Sequence, residues 1–308
     1  MTEVFSPRRS IANLLFFLMS HHPRTCSCHG RRIGYEAGEP DDGTMPLMVF
    51  LPPGASSAAI WRPIAAHFKD RFRTAAINPS GYGETEAFDG PAPMTILDEA
   101  EAVAAVIRAE LSADAGHDIP EGGHLVGHSY GGAIALEVAR HWPDLVVRLT
   151  LFEPAPYPLL REAGEEALAA AITGENESFV AMVRGERPGG SAKAMAQYLD
   201  FFNNQPGFWR GLDNRAQAKM LLLAERLAAC LNAVGHVDIS REGLSKIEVP
   251  ATVVHGAKSD RLHIRLSEIV SAALCDATLR SVPGAGHMMT LTHGEAVCVL
   301  IDESLAAV

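Results

Sequence analysis

The run LVGHSYGG (125–132) sets Ser129 between Gly127 and Gly131 in a G-x-S-x-G pattern. A serine hydroxyl becomes a useful nucleophile only when a base takes its proton, so a histidine and an acid must be supplied from elsewhere in the chain. His287, in SVPGAGHMM (281–289), is the expected base. Gly284 and Gly286 free its short loop to curl over the edge of a sheet. Asp260 in VVHGAKSDRLH follows Gly256 by four residues, just past a strand end, and is the expected acid. Its carboxylate would accept the Nδ1 proton of His287 and stabilise the imidazolium. The same residue is placed to cap the helix that begins near Leu262, and the two roles are compatible. Glu153, at the end of the strand after Ser129's helix, is the rival acid. His128 and His255 read as packed residues.

The elements around these residues alternate in type. RRIGYEA (31–37), PLMVFLP (46–52), FRTAAINP (72–79), GHLVGH (123–128), LVVRLTLFEP (145–154), ATVVHG (251–256) and ATLRSVPG (277–284) read as strands. Helical spacing covers 58–68, 95–111, 129–142, 262–274 and 294–306. Strand–helix alternation implies an α/β chain with a mostly parallel central sheet flanked by helices. From about Pro154 to Leu244 the pattern is helical throughout, which predicts an inserted helical cap over the carboxyl ends of the strands. The expected organisation is an N-terminal arm or helix over 1–30, a core over 31–153 and 245–308, and a cap over 154–244. In the strand–Ser–helix context a sharp turn exposes the hydroxyl, and the helix start aims backbone N–H groups at an oxyanion formed there.

With Ser129, Asp260 and His287 in that chain order, residues 31 to 306 resemble the α/β-hydrolase superfamily. The motifs that carry the resemblance are GHSYGG, GAKSD, GAGHM and the loop LPPGASSAAIW (51–61). In that family the loop usually begins His-Gly-x, and x donates an oxyanion N–H. Here Pro52 and Pro53 replace His-Gly, and counting back from Trp61 puts Gly54 in the donor position, with Ala55 as the alternative. Pro53 has no N–H to give. By the same resemblance Tyr130 is the second donor, and the loop NPSGYGET (78–85) has a structural role.

A serine in this position implies acyl transfer, with a small or medium, apolar carboxylic ester or thioester as the expected substrate. Tyr198, Phe201, Phe202, Phe208 and Trp209 crowd one stretch of the cap. Trp61, Phe201, Phe202 and Trp209 are the expected substrate contacts, although a cap also needs aromatics for a core of its own. Carbon–carbon bond hydrolysis, a lyase of the hydroxynitrile type and a non-catalytic ligand-binding protein are the alternatives on the same residues.

Net charge of −11, with 47% hydrophobic and 20% charged residues, describes an ordinary soluble globular chain of 308 residues. It offers no basic patch for nucleic acid and no attraction to an anionic membrane. Cys26, Cys28, Cys230, Cys275 and Cys298 are scattered and odd in number, which fits reduced thiols in a cytoplasm. The apolar run in PRRSIANLLFFLMS mimics the start of an export signal, but it lacks a cleavage site and is too short to span a bilayer. A packed amphipathic helix is the expectation there, with export as the lesser alternative. His21, His22, Cys26, Cys28 and His29 crowd together without the C-x₂₋₄-C spacing of a tetrahedral metal site. No motif indicates a metal or an organic cofactor.

Overall fold

A computed structural model describes residues 21–38, 45–112 and 122–306. The expected N-terminal apolar helix lies outside them. Eight strands form one sheet in the order β1-β2-β4-β3-β5-β6-β7-β8. They are β1 (His21–Cys28), β2 (Arg31–Gly38), β3 (Leu47–Leu51), β4 (Arg73–Ile77), β5 (Gly123–His128), β6 (Val146–Phe152), β7 (Ala251–Gly256) and β8 (Ala277–Val282). β1 and β2 pair antiparallel, β2 meets β4 antiparallel, and every pairing from β4 to β8 is parallel.

The central strands read as continuous apolar runs because helices cover both faces. Alternation survives in which face each residue serves. Leu47, Val49 and Leu51 enter one core with Leu125, Leu149 and Val253, while Met48 and Phe50 enter the opposite core with Val126, Phe152 and Val254. The body helices are α1 (Arg62–Phe68), α2 (Ile96–Ser112) and α3 (Tyr130–His141). Between β6 and β7 the chain is helical: α4 (Pro158–Glu162), α5 (Glu166–Val183), α6 (Gly190–Phe202), α7 (Phe208–Gly211), α8 (Asn214–Leu221), α9 (Ala224–Gly235) and α10 (Arg241–Leu244). These helices enclose a third core around Phe179, Met182, Met195, Trp209 and Leu227. After β7 come α11 (Arg261–Ala273), α12 (Met289–Thr292) and α13 (Gly294–Ala306).

Two expectations need correction. Residues 21–28, read as part of an arm, form a strand paired in full register with β2. HHPRTCSC carries no apolar alternation because this antiparallel edge strand leaves most of its side chains outside the core. Trp61, an expected substrate contact, is fully buried in the body core, 5.2 Å from the Phe50 ring and 6.5 Å from that of Phe152. A 3-10 turn over Ala58–Trp61 directs it there.

Candidate active site

β5 ends at His128, and the chain turns sharply into α3. Ser129 takes φ 53° and ψ −111°, a conformation that costs a non-glycine residue energy and survives only where surrounding contacts enforce it. Those contacts are tight. A Cβ at Gly127 would lie 2.5 Å from the Gly131 carbonyl oxygen, and one at Gly131 would lie 2.2 Å from that of Leu51. The Ser129 N–H donates to the Phe152 carbonyl (2.9 Å), and the Ser129 carbonyl accepts from Ala155 (3.1 Å), so the turn is tied to the end of β6.

His287, on the loop after β8, reaches this turn. The Ser129 Oγ–H donates to His287 Nε2 (3.2 Å), and His287 Nδ1–H donates to Glu153 Oε2 (2.6 Å). Glu153 follows β6, has no solvent exposure and holds φ 44°. Its other oxygen, Oε1, accepts from the Gly256 N–H (2.7 Å) and from the Ser259 hydroxyl (2.5 Å). Burial alone pushes the Glu153 carboxyl up, but the His287 hydrogen bond, the neighbouring imidazoles and Ser259 outweigh it and bring the pKa to about 2. Burial, assisted by the charge His263 carries when protonated, holds His287 below the ordinary histidine range against the pull of Glu153. The result is an ionised carboxylate and a neutral imidazole free to accept a proton at neutral pH.

Asp260 is not the partner of His287. It caps α11: Oδ1 accepts from the N–H groups of Leu262 (2.8 Å) and His263 (3.2 Å), while Oδ2 takes the Nδ1–H of His263. Local donors use up its acceptors, and Glu153, the rival read from the sequence, takes the place opposite His287. Ser259, one residue earlier, and His263, one turn later, were not singled out by sequence reasoning. Glu153 left a trace there as a charged residue closing the apolar run LTLF.

Gly131 donates its N–H to the Pro52 carbonyl (3.1 Å), which draws the loop after β3 alongside the head of α3. Among the described residues, the N–H groups of Tyr130 and Gly54 meet no backbone acceptor. Ala55 sits at φ 57° beside them. The Tyr130 hydroxyl donates to the buried Glu99 (3.2 Å), which also accepts from the Ser80 N–H (3.0 Å) and so ties the 78–85 loop to the elbow.

A family model described as "Alpha/beta hydrolase family" matches residues 48–299. The chain belongs to the alpha/beta hydrolase family. Among its curated relatives, the pimeloyl-[acyl-carrier protein] methyl ester esterase of Methylococcus capsulatus is 24% identical over 265 residues, 86% of this chain and 96% of that protein. A hydrolase from Pseudomonas aeruginosa superposes with TM-score 0.72 at 20% identity, covering 93% of this chain and 99% of that one. The enol-lactonase from Burkholderia xenovorans gives 0.70 at 18%, covering 92% and 100%.

Of the hydrolase's expected substrate contacts, one lies against His287. The Phe202 ring is 5.7 Å from that of His287 and continues a ladder through Tyr198 (4.2 Å) to Phe179, which lies 5.3 Å from Tyr198. Phe201 packs behind Phe202 (5.3 Å). Trp209 belongs to the insertion's own core. Glu153, His263 and His287 bring ligand-type atoms within 4.8 Å of one another, but each ring already gives its Nδ1–H to a carboxylate, and we assign no metal to the hydrolase there. Among the described residues the 21–29 segment makes no such cluster. Burial pushes the Cys26 thiol up to about 11.

Proposed function

We propose that this protein hydrolyses small or medium, apolar carboxylic esters or thioesters through an acyl-enzyme on Ser129, with His287 as general base and Glu153 as its orienting acid. The observation that carries the reading is the unbroken hydrogen-bond chain from the strained Ser129 through His287 to a buried carboxylate. In this reading His287 Nε2 takes the hydroxyl proton as Ser129 Oγ attacks the carbonyl carbon, and Glu153 stabilises the imidazolium that forms. The N–H groups of Tyr130 and Gly54, with Ala55 as the alternative to Gly54, hold the tetrahedral oxyanion. The imidazolium then protonates the departing alkoxide or thiolate. Water, deprotonated by the same ring, releases the acid and frees Ser129.

The helices between β6 and β7 act as the cap, with Phe202 as its contact to the reacting centre. The curated relative's action on a methyl ester supports an ester with a small leaving alcohol. No helix among the described residues is long and apolar enough to cross a membrane. All five cysteines are free, which supports a reducing compartment such as the cytoplasm.

The test pairs a series of p-nitrophenyl and methyl esters of rising acyl length with fluorophosphonate labelling, in wild type and Ser129→Ala. Turnover and label that both vanish in the variant are expected. Turnover that survives Ser129→Ala, or a wild-type protein that neither turns over nor labels, overturns the proposal.

A further inference from the structure

Acyl transfer leaves a second imidazole beside His287 without a task. His263, in the first turn of α11, is fully buried and gives its Nδ1–H to Asp260. Its ring is stacked on that of His287, with centroids 4.1 Å apart and 30° between the planes. Phe202 closes the assembly, 5.3 Å from His263 and 5.7 Å from His287. A residue needed there only for volume would be an apolar one, since burying a paired charge gives little net stability against well-packed hydrophobic side chains.

We propose that Asp260 and His263 are a positioning pair for the base: His263 fixes the plane of the His287 ring and, through its positive charge, sets the pH at which His287 is free to accept a proton. This rests on the assignment of His287 as base.

Among the described residues, the titratable groups acting on that ring come from several elements, Asp260 of the same pair included. Glu153, from the end of β6, holds Nδ1; Ser129 lies on Nε2; the His128 ring from β5 is 5.0 Å away, with its Nδ1 bonded to the Thr290 hydroxyl (2.9 Å). Ser259 bonds Glu153, and Tyr157, at the start of the insertion, lies near both carboxylates. Burial drives His128 down to about 3, so it stays neutral. Burial alone would discharge His263 as well, but the Asp260 hydrogen bond and charge outweigh it and raise its pKa. Among the described residues, His263 is the stacked neighbour whose charge opposes a proton on His287, since like charges on adjacent rings repel. Asp260 also lines a cavity of about 490 Å³ with Asp200, Phe201, Asn204 and Arg261.

Removing the His263 charge lets His287 protonate at higher pH. The acid limb of kcat/KM, which reports the free base, is expected to move up by about one pH unit. Below the wild-type midpoint the variant then runs up to about tenfold slower relative to its own plateau. Two variants share the loss of charge and differ in the rest: His263→Phe keeps a ring in the stack, and His263→Gln keeps a donor for Asp260. A limb displaced upward in either folded variant supports the proposal. A lowered plateau with the limb unmoved in both reduces His263 to packing and overturns it.

NMR titration of the His287 ring in Ser129→Ala, with and without His263→Gln, reads the coupling without turnover. An unchanged His287 midpoint overturns the proposal. If the wild type neither turns over nor labels, the acyl-transfer reading fails while this titration still decides the coupling.

Discussion

Replacing Glu153 by Gln tests the least expected assignment, and the structure says which way the amide must lie. Oε1 accepts from both Gly256 N–H and Ser259 Oγ–H, so the amide carbonyl keeps that place and the NH₂ group faces His287 Nδ1. A donor opposite Nδ1 forces the proton onto Nε2, and the ring then presents N–H to Ser129 where a base is required. Lost imidazolium stabilisation adds to the wrong tautomer. Together they are expected to cost about ten-thousand-fold in kcat, or about 5 kcal/mol of barrier. Asp260→Asn leaves a good helix cap in place and should stay within about tenfold of wild type. Steady-state kinetics on the best p-nitrophenyl ester, with the rate of fluorophosphonate labelling, measure both. Glu153→Gln within tenfold of wild type, or Asp260→Asn falling as far as Glu153→Gln, would refute the reasoning and return the acid to Asp260.

Two further outcomes follow from packing and burial. Gly131→Ala puts a Cβ 2.2 Å from the Leu51 carbonyl, a backbone atom that cannot move aside, and should cost about 3 kcal/mol. Gly174→Ala meets nothing within 4 Å and should be neutral or stabilising; thermal melts compare the two, and equal melts refute the elbow argument. Burial, helped by the charge of Arg148, pushes His124 down to about 3, below its ordinary value near 6.5 in the unfolded chain. The folded state then binds fewer protons, so this contribution to stability is complete above pH 6.5 and is lost as pH falls towards 3. His124→Gln should flatten the pH dependence of urea unfolding between pH 6 and 4 by up to about 1.4 kcal/mol per pH unit, and an unchanged slope contradicts it.

Much of this site was legible in the sequence, because its constraints are local. Gly127, Ser129 and Gly131 form an elbow that needs small residues at fixed spacing, and the glycines around His287 mark a loop free to turn back over the sheet. The acid was not legible in this way. Asp260 and Glu153 both follow a strand end, and choosing between them depends on which carboxylate has an oxygen left for His287. Asp260 spends its own on the first turn of α11 and on His263, three residues away. The stack of His263 on His287 joins the first turn of α11 to the loop after β8, and no spacing rule encodes it. Trp61 and β1 failed for a simpler reason: an aromatic near a site motif, or a polar run ahead of the core, carries no record of what lies opposite it.

Glu153 directly follows β6, just before the helical insertion leaves the sheet, and the two groups that bond its Oε1 stand where the chain has returned: Gly256 at the end of β7 and Ser259 just beyond it. The proposed acid is thus a clasp between the two ends of the insertion, and the distance between those ends does not depend on what is threaded between them. Helices can be lengthened, shortened or exchanged from 158 to 244 while the anchor points of His287's partner stay where they are. A scaffold with this arrangement separates the evolution of its substrate pocket from the upkeep of its base.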